Sequence, residues 1–234
     1  MFFFQKRYSF SETGILLDAE DCHSHILWGV DDGIRTKEQS IEALREMKKS
    51  GVKDLWLTPH IMEDFPNKTE DLKEKFRELC SCVKEDESPE LHLGAEYMMD
   101  ELFRKRLHDK DVLLTDGFLL VETSTMFAPI GLEDILQEIK SCGYYPLLAH
   151  PERYVYMGPE DYRNFYNLGI NMQLNYPALA GIYGKQAQAK ARWLLSKGYY
   201  KRIGSDLHRA SLISRIMDEK CLKKEEILLL KHLA

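Results

Sequence analysis

Short runs of β-branched, aromatic and leucine residues alternate with longer segments whose apolar positions recur at helical spacing, and the alternation continues to the C-terminus. Seven runs read as strands: Asp21 to Leu27, Val52 to Thr58, Leu91 to Tyr97, Phe118 to Thr123, Tyr145 to Ala149, Ile170 to Asn175 and Tyr200 to Gly204. Between them, Thr36 with Gln39 three residues on reads as a capping box, with Ile41, Leu44, Met47 and Lys48 following at helical spacing and Gly51 ending the helix. Further helices are expected over about Thr69 to Lys84, Leu132 to Ser141, Pro159 to Asn167, Lys185 to Ser196, and from Ser211 through the tail Lys223 to His232. Strand and helix in strict turn predict a parallel α/β fold. No repeat, linker or break in composition divides the chain, so residues 21–234 read as one domain behind an N-terminal extension of residues 1–20.

Composition narrows the classes. A chain of 234 residues, 44% hydrophobic, can bury a core without disulfides, and 14 Gly with 8 Pro exclude collagen-like and disordered structure. Thirty-two Lys and Arg against 38 Asp and Glu give a net charge of −6, which excludes general nucleic-acid binding. A local arginine still suffices to hold one phosphate. Five scattered cysteines, and an opening MFFFQKR that has the wrong order for a secretion signal, predict reduced thiols in the cytoplasm. No apolar run reaches the roughly 18 residues of a membrane span. Phe2, Phe3 and Phe4 ahead of Lys6 and Arg7 read as a frayed or packed terminus, with a membrane-surface or partner contact as the alternative. In the tail, Lys220, Lys223 and Lys224 beside Ile227, Leu228 and Leu230 read as a packed helix or a homo-oligomer contact.

The polar chemistry falls at strand ends, the edge that builds active sites in parallel α/β folds. Residues two apart on a strand face one way, so His23 and His25 point together and suit one transition metal. Gly29-Val30-Asp31-Asp32-Gly33 is either a solvated turn or a loop that returns one carboxylate to that metal. The later strands end in Thr58-Pro59-His60, Gly94-Ala95-Glu96, Val121-Glu122-Thr123, Ala149-His150-Pro151-Glu152-Arg153 and Gly204-Ser205-Asp206-Leu207-His208. Each alone reads first as a loop histidine or an exposed acid. Together His23, His25, Asp32, His60, Glu96, Glu122, His150, Asp206 and His208 form a nitrogen and oxygen donor set without thiolate, too large for one tetrahedral ion. It suits two or three ions of Mn, Fe or Zn.

Other chemistries are absent. Residues six beyond Cys22, Cys80, Cys82, Cys142 and Cys221 are Trp28, Asp86, Ser88, Leu148 and Ile227, so no cysteine-phosphatase Cys…Arg pair exists. Gly181-Ile182-Tyr183-Gly184-Lys185 lacks P-loop spacing, and neither G-x-S-x-G nor a strand-borne G-x-G-x-x-G occurs.

The segments DCHSHILWGVDDG, TPH, GAE, VETS, AHPER and GSDLH, in this order over residues 21–208, resemble the polymerase and histidinol phosphatase (PHP) family. Within it they are most similar to the bacterial manganese-dependent protein tyrosine phosphatases of capsule and exopolysaccharide loci. The resemblance implies a distorted (β/α)7 TIM-like barrel with a trinuclear site at the strands' C-terminal ends. By motif it makes the nine residues above the metal ligands and Arg153 the phosphate-holding arginine, with Arg209 or Arg215 as the second. Trp28 stands where relatives commonly have Pro.

The implied reaction is attack on phosphorus by a metal-bridged hydroxide, with Asp32 among the catalytic metal ligands and His208 or His60 as proton donor to the leaving group. The implied partner is a phosphotyrosine protein such as a bacterial tyrosine kinase. Tyr97, Phe127, Tyr154 and Tyr176, just past strand ends, read either as walls of a tyrosine-admitting cleft or as packing. Rival readings are a phosphatase for a small metabolite such as histidinol phosphate, an amidohydrolase, against which Glu122 stands where that family often has a modified Lys, and a non-catalytic phosphotyrosine- or kinase-binding module.

Overall fold

All seven expected strand segments enter parallel ladders, but Leu91 to Tyr97 breaks in the middle and Val52 to Thr58 is followed by a separate short strand at His60–Ile61, and these breaks shape the molecule. In a computed structural model, residues 6–234 are described, so Phe2, Phe3 and Phe4 lie outside the described residues. In chain order the elements are α1 (Phe10–Thr13), β1 (Glu20–Asp21), α2 (Lys37–Lys49), β2 (Asp54–Leu57), β3 (His60–Ile61), α3 (Thr69–Cys82), β4 (Glu90–Leu93), β5 (Glu96–Met98) and α4 (Glu101–Asp109). They continue as β6 (Leu119–Glu122), α5 (Leu132–Ser141), β7 (Pro146–Leu148), α6 (Pro159–Asn167), β8 (Asn171–Asn175), α7 (Gly184–Lys197), β9 (Tyr200–Gly204), α8 (Leu212–Asp218) and α9 (Lys224–Leu230).

The strands form two parallel sheets, ordered β1-β2-β4 and β3-β5-β6-β7-β8-β9. The first sheet stops where Leu57 pairs Leu93, and the second starts where His60 pairs Glu96. Pro59 has no N–H to offer a ladder, and Gly94 passes so close to Thr115 that a Cβ there would lie 2.1 Å from its hydroxyl. Both strands therefore shift at the same level. Only Gly94 N to Leu57 O (2.9 Å) and Glu96 N to Pro59 O (3.1 Å) cross the break.

The expected closed seven-stranded barrel is thus met in its parallel α/β layering and not as one closed sheet. Where β9 approaches the segment after β1, the contact is a set of separate bonds: Cys22 N to Ile203 O, His25 N to Leu207 O and Asp206 N to His23 O.

Burial follows from this layout. β6 is buried at every position, as a parallel strand covered on both faces must be. Helix α2 turns Ala43, Leu44 and Met47 inward, and the Thr36 hydroxyl accepts from Gln39 N at 3.3 Å, one half of the expected capping box. Phe10, Ile15 and Leu16 of the N-terminal segment join the same core.

Two helical differences have local causes. Helix α4 was not anticipated, although Asp100 caps it through Phe103 N and turns Phe103 and Leu107 inward. The expected helix from Ser211 to the tail is broken in two, because Cys221 and Leu222 pair with Tyr8. Leu230 of α9 is fully buried, so the tail packs onto the core. Among the described residues, no helix is long and apolar enough to cross a membrane.

Candidate metal centre

Because every named strand pair runs parallel, the C-terminal strand ends share one side of the molecule. His23 and His25 follow β1, His60 opens β3, Glu96 opens β5 and Glu122 ends β6. His150 lies two residues past β7, and Asp206 and His208 lie just past β9. Among the described residues five non-glycines have positive φ, and His150 and Asp206 are two of them. Backbone held in that region at two strand ends aims both side chains inward.

The nine residues meet. Glu96 Oε2 lies 3.1 Å from His23 Nε2, 3.2 Å from His25 Nε2 and 3.1 Å from His60 Nδ1. His60 Nδ1 is also 3.1 Å from Glu122 Oε1, and His150 Nε2 is 3.0 Å from Glu96 Oε1. Asp206 Oδ1 lies 3.4 Å from both His25 Nε2 and His208 Nδ1. Asp32, the most exposed member, places Oδ1 3.4 Å from His60 Nε2 and from His208 Nε2. Three overlapping donor groups result: His23, His25, Glu96 and Asp206; His25, Asp32, His60 and His208; and His60, Glu96 and Glu122.

The tautomers decide what such a cluster holds. Gln173 donates through its amide nitrogen to Leu174 O and to Asn175 Oδ1, so its Oε1 is an acceptor, 3.0 Å from His23 Nδ1. That nitrogen therefore carries hydrogen. Likewise His25 Nδ1 donates to Asp31 Oδ2 at 2.8 Å. Each imidazole turns Nε2 to the cluster, where the two atoms face each other at 3.1 Å, and burial is outweighed by Asp31, Asp206 and Glu96, which hold the His25 pKa well above its usual value. Glu96 Oε2 beside them is buried without a hydrogen-bond partner. Lone pairs so placed repel unless something positive lies between them, a proton or a cation. Cations hold N and O ligands at about 2.1 Å, so neighbouring ligands on one ion sit roughly 3.0–3.4 Å apart, as these donors do.

Electrostatics agree. Burial and His25 work against a charge on His60, yet Glu96 and Glu122 outweigh them and lift its pKa to about 10. Burial and Arg153 oppose His150, but Glu122 and Glu96 raise it to about 9. For Glu96 and Asp206, burial alone would raise the carboxyl pKa, yet the imidazoles hold both well below the usual range. The hydrogen bond from His208 lowers Asp32 to about 2.

Supporting residues explain why the motifs extend beyond the ligating types. Asp31 also accepts from His60 N and Gly33 N, fixing the loop that presents Asp32. A Cβ at Gly33 would lie 2.3 Å from His25 O, and one at Gly204 2.5 Å from His23 Cβ, so both positions are closed to larger residues. Glu152 is buried, accepts from Asn175 N and Tyr200 O–H, and has its pKa pushed by burial up to about 7. Asp31, Gln173 and Glu152 were not singled out as site residues; only the doubled acid of Asp31-Asp32 and the length of the H-P-E-R segment hinted at two of them.

Arg153 donates to Asp206 Oδ2 at 2.6 Å, with its guanidinium 4.7 Å from the centre of the Tyr183 ring. Tyr183 O–H and Asn175 donate to the same carboxylate oxygen. Of the two candidates for a second phosphate arginine, Arg209 lines a groove beside Asp32 and His208, and Arg215 does not. Three of the four aromatics past the strand ends are core residues: Tyr97, Tyr154 and Tyr176 are buried, and only Phe127 is exposed. Trp28 is also buried, beneath the ammonium groups of Lys37 and Lys75, rather than forming a rim. A separate group, Asp54, Glu90 and His92, lies at the opposite strand ends, where His92 is already bonded to Asp54 and stacked on Trp56.

Fold and site together define a class: parallel α/β proteins whose strand ends present a histidine and carboxylate cluster suited to binding metal. Residues 19–225 match the family described as "Capsular polysaccharide synthesis, CpsB/CapC", and the chain belongs to that family. Relatives include the tyrosine-protein phosphatase YwqE of Bacillus subtilis (strain 168), 27% identical over 198 residues that cover 80% of this chain and 76% of the relative. The tyrosine-protein phosphatase CpsB of Streptococcus pneumoniae is 28% identical over 199 residues, covering 80% and 82%. A solved structure described as YwqE and CpsB, "unique metal-dependent tyrosine phosphatases", superposes with a TM-score of 0.76 at 25% identity, covering 91% of this chain and 85% of the other.

Proposed function

We propose that this chain is a metal-dependent protein-tyrosine phosphatase that acts in the cytoplasm on a phosphotyrosine protein of capsule or exopolysaccharide synthesis, such as a tyrosine kinase. The observation that carries the reading is the pair of opposed Nε2 atoms on His23 and His25, 3.1 Å apart and each within 3.2 Å of the buried Glu96 Oε2. The ligands are His23, His25, Asp32, His60, Glu96, Glu122, His150, Asp206 and His208, for two or three ions, with Mn the metal and Fe or Zn the alternatives of similar preference. The seven strand segments are read as a distorted (β/α)7 barrel, with residues 21–234 as its single domain.

When bound there, divalent cations supply Lewis acidity and activate water for attack on phosphorus. The chain's own residues do the rest. Arg153 commits one N–H to Asp206 and keeps others for phosphoryl oxygens, where a guanidinium fork matches two at once. Tyr183 beneath it limits its motion. His208 gives its Nδ1 hydrogen to Asp206 O and turns Nε2 to the exposed edge beside Asp32, while the departing tyrosyl oxygen, with a pKa of about 10, demands little help from a proton donor.

The test is hydrolysis of p-nitrophenyl phosphate and of a phosphotyrosine peptide by wild type and by the His23→Ala, His25→Ala double variant, with Mn and with chelator. Loss of activity in the folded variant and in chelator is expected. Wild-type rates in the variant overturn the site, and a preference for histidinol phosphate over the peptide overturns the substrate.

A further inference from the structure

The candidate metal cluster is open at Asp32 and His208, and a groove of about 590 Å³ leads away from them. Asp32 and His208 form the wall it shares with the cluster, and Arg35 and Arg209 line the same groove. Beyond them the groove follows Gln39, Glu42 and Glu46, which are one face of α2 by their spacing of three and four residues. Arg35 lies three residues from Asp32, at most about 11 Å along the chain. Glu46 lies seven residues beyond Gln39, about 10 Å further down the helix. Positive charge therefore stands at the cluster end of the groove and negative charge at the far end.

The two guanidiniums are unengaged. Among the described residues neither Arg35 nor Arg209 has a side-chain hydrogen bond or ion pair, whereas Arg45, Arg106 and Arg202 each hold a carboxylate. Among the described residues Arg35 packs against no aromatic ring, and it is exposed to solvent, so its guanidinium is open to a ligand in the groove. A residue one to three positions from a phosphotyrosine lies at most about 4 to 11 Å from it along the chain, and Arg35 lies within about 11 Å of Asp32.

We propose that this groove binds the polypeptide flanking the phosphotyrosine and that Arg35, with Arg209 beside it, selects an acidic side chain within three residues of the phosphorylated tyrosine. The proposal rests on the tyrosine-phosphatase reading and names a specificity determinant for it. Arg35 is far enough along the loop that it need not touch the phosphate; it reads the neighbour. The far carboxylates Glu42 and Glu46 disfavour acid further along, so the preference is confined to the near positions.

The experiment compares kcat/KM for two phosphotyrosine peptides of one length, one with aspartates and one with alanines within three residues of the phosphotyrosine. Each is assayed with the Mn-loaded full chain, wild type, Arg35→Ala and Arg35→Glu. Using the ratio of the two peptides within one enzyme cancels any change in metal content or folded fraction. Exposed charge pairs are modest, so the aspartate peptide is expected to be favoured about two- to fivefold by wild type at low salt. The ratio should fall to near one in Arg35→Ala, invert in Arg35→Glu, and shrink in wild type as salt screens the pair. Turnover of both peptides at a ratio that does not depend on residue 35 overturns the groove alone. Hydrolysis of p-nitrophenyl phosphate with neither peptide turned over overturns both the groove and the tyrosine reading.

Discussion

Asp31 accepts a hydrogen bond from His25 Nδ1 at 2.8 Å, and that single contact determines which nitrogen His25 offers to the cluster. Asp31→Asn keeps the shape but removes the charge that orients and strengthens the imidazole. Loss of such an outer carboxylate typically costs 10- to 100-fold in metal affinity, and about that loss is expected by calorimetric Mn titration. Unchanged affinity would show that the tautomer is set elsewhere.

Tyr183 supports Arg153 in two ways, by stacking and by sharing Asp206 Oδ2. Tyr183→Phe retains the ring and loses the hydroxyl's bond to Asp206 together with the longer one it accepts from Asn175 at 3.4 Å, the first of which corresponds to about 1 kcal/mol, or roughly fivefold. The expected result is a severalfold weaker inhibition by inorganic phosphate with little change in kcat. Tyr183→Leu, losing the ring as well, is expected to weaken it further.

Metal uptake is expected to release protons at pH 7. His60 and His150 have pKa values near 10 and 9 in the folded metal-free chain, so both are protonated there and must lose a proton to bind a cation. Calorimetry in two buffers of different ionisation enthalpy reads that release directly. The stability of the metal-free chain follows the same sign. These histidines are raised above their usual 6.5, so their contribution is complete below pH 6.5 and is lost as pH rises through about 9 to 10. Chelated protein should therefore melt at falling temperature over that range.

Gly204→Ala would bring a Cβ within 2.5 Å of His23 Cβ and 2.8 Å of Gln173 Nε2. Overpacking of a filled interior costs about 1–3 kcal/mol, and here it displaces a ligand and the amide that orients it. Lower melting temperature together with lost Mn binding is expected. A neutral outcome would mean that the first strand segment can retreat from its neighbour.

How much of this was legible in the sequence depended on whether the signal was local. His23 and His25 are two residues apart, and strand alternation alone places them together. Glu96 and Glu122 stood out as acids that close apolar runs. Asp31 and Asp32 are chemically identical neighbours, so only the fold shows that Asp31 turns back to His25 while Asp32 faces the open edge. Gln173 lies inside a strand with nothing to separate it from ordinary core polarity, because its partner is 150 residues away. The breaks at Pro59 and Gly94 were visible as residues, but their coincidence at one level is a property of pairing. Tyr97 reads as a site aromatic by position and proves to be core, since its hydroxyl is satisfied by Leu113 N.

The discontinuity between the two sheets gives the bound ions a second consequence. Cys22 to His25 is fastened on one side to Ile203 and Leu207 and on the other to Thr58 by a handful of main-chain bonds, with no continuous ladder. Ions gripped at once by His23, His25, Glu96 and Asp206 would rivet this seam shut from within. Stripping them should make the amides of residues 22–25 and 203–207 exchange with deuterium well before those of β6, so that the first loosening of the molecule begins at its catalytic edge.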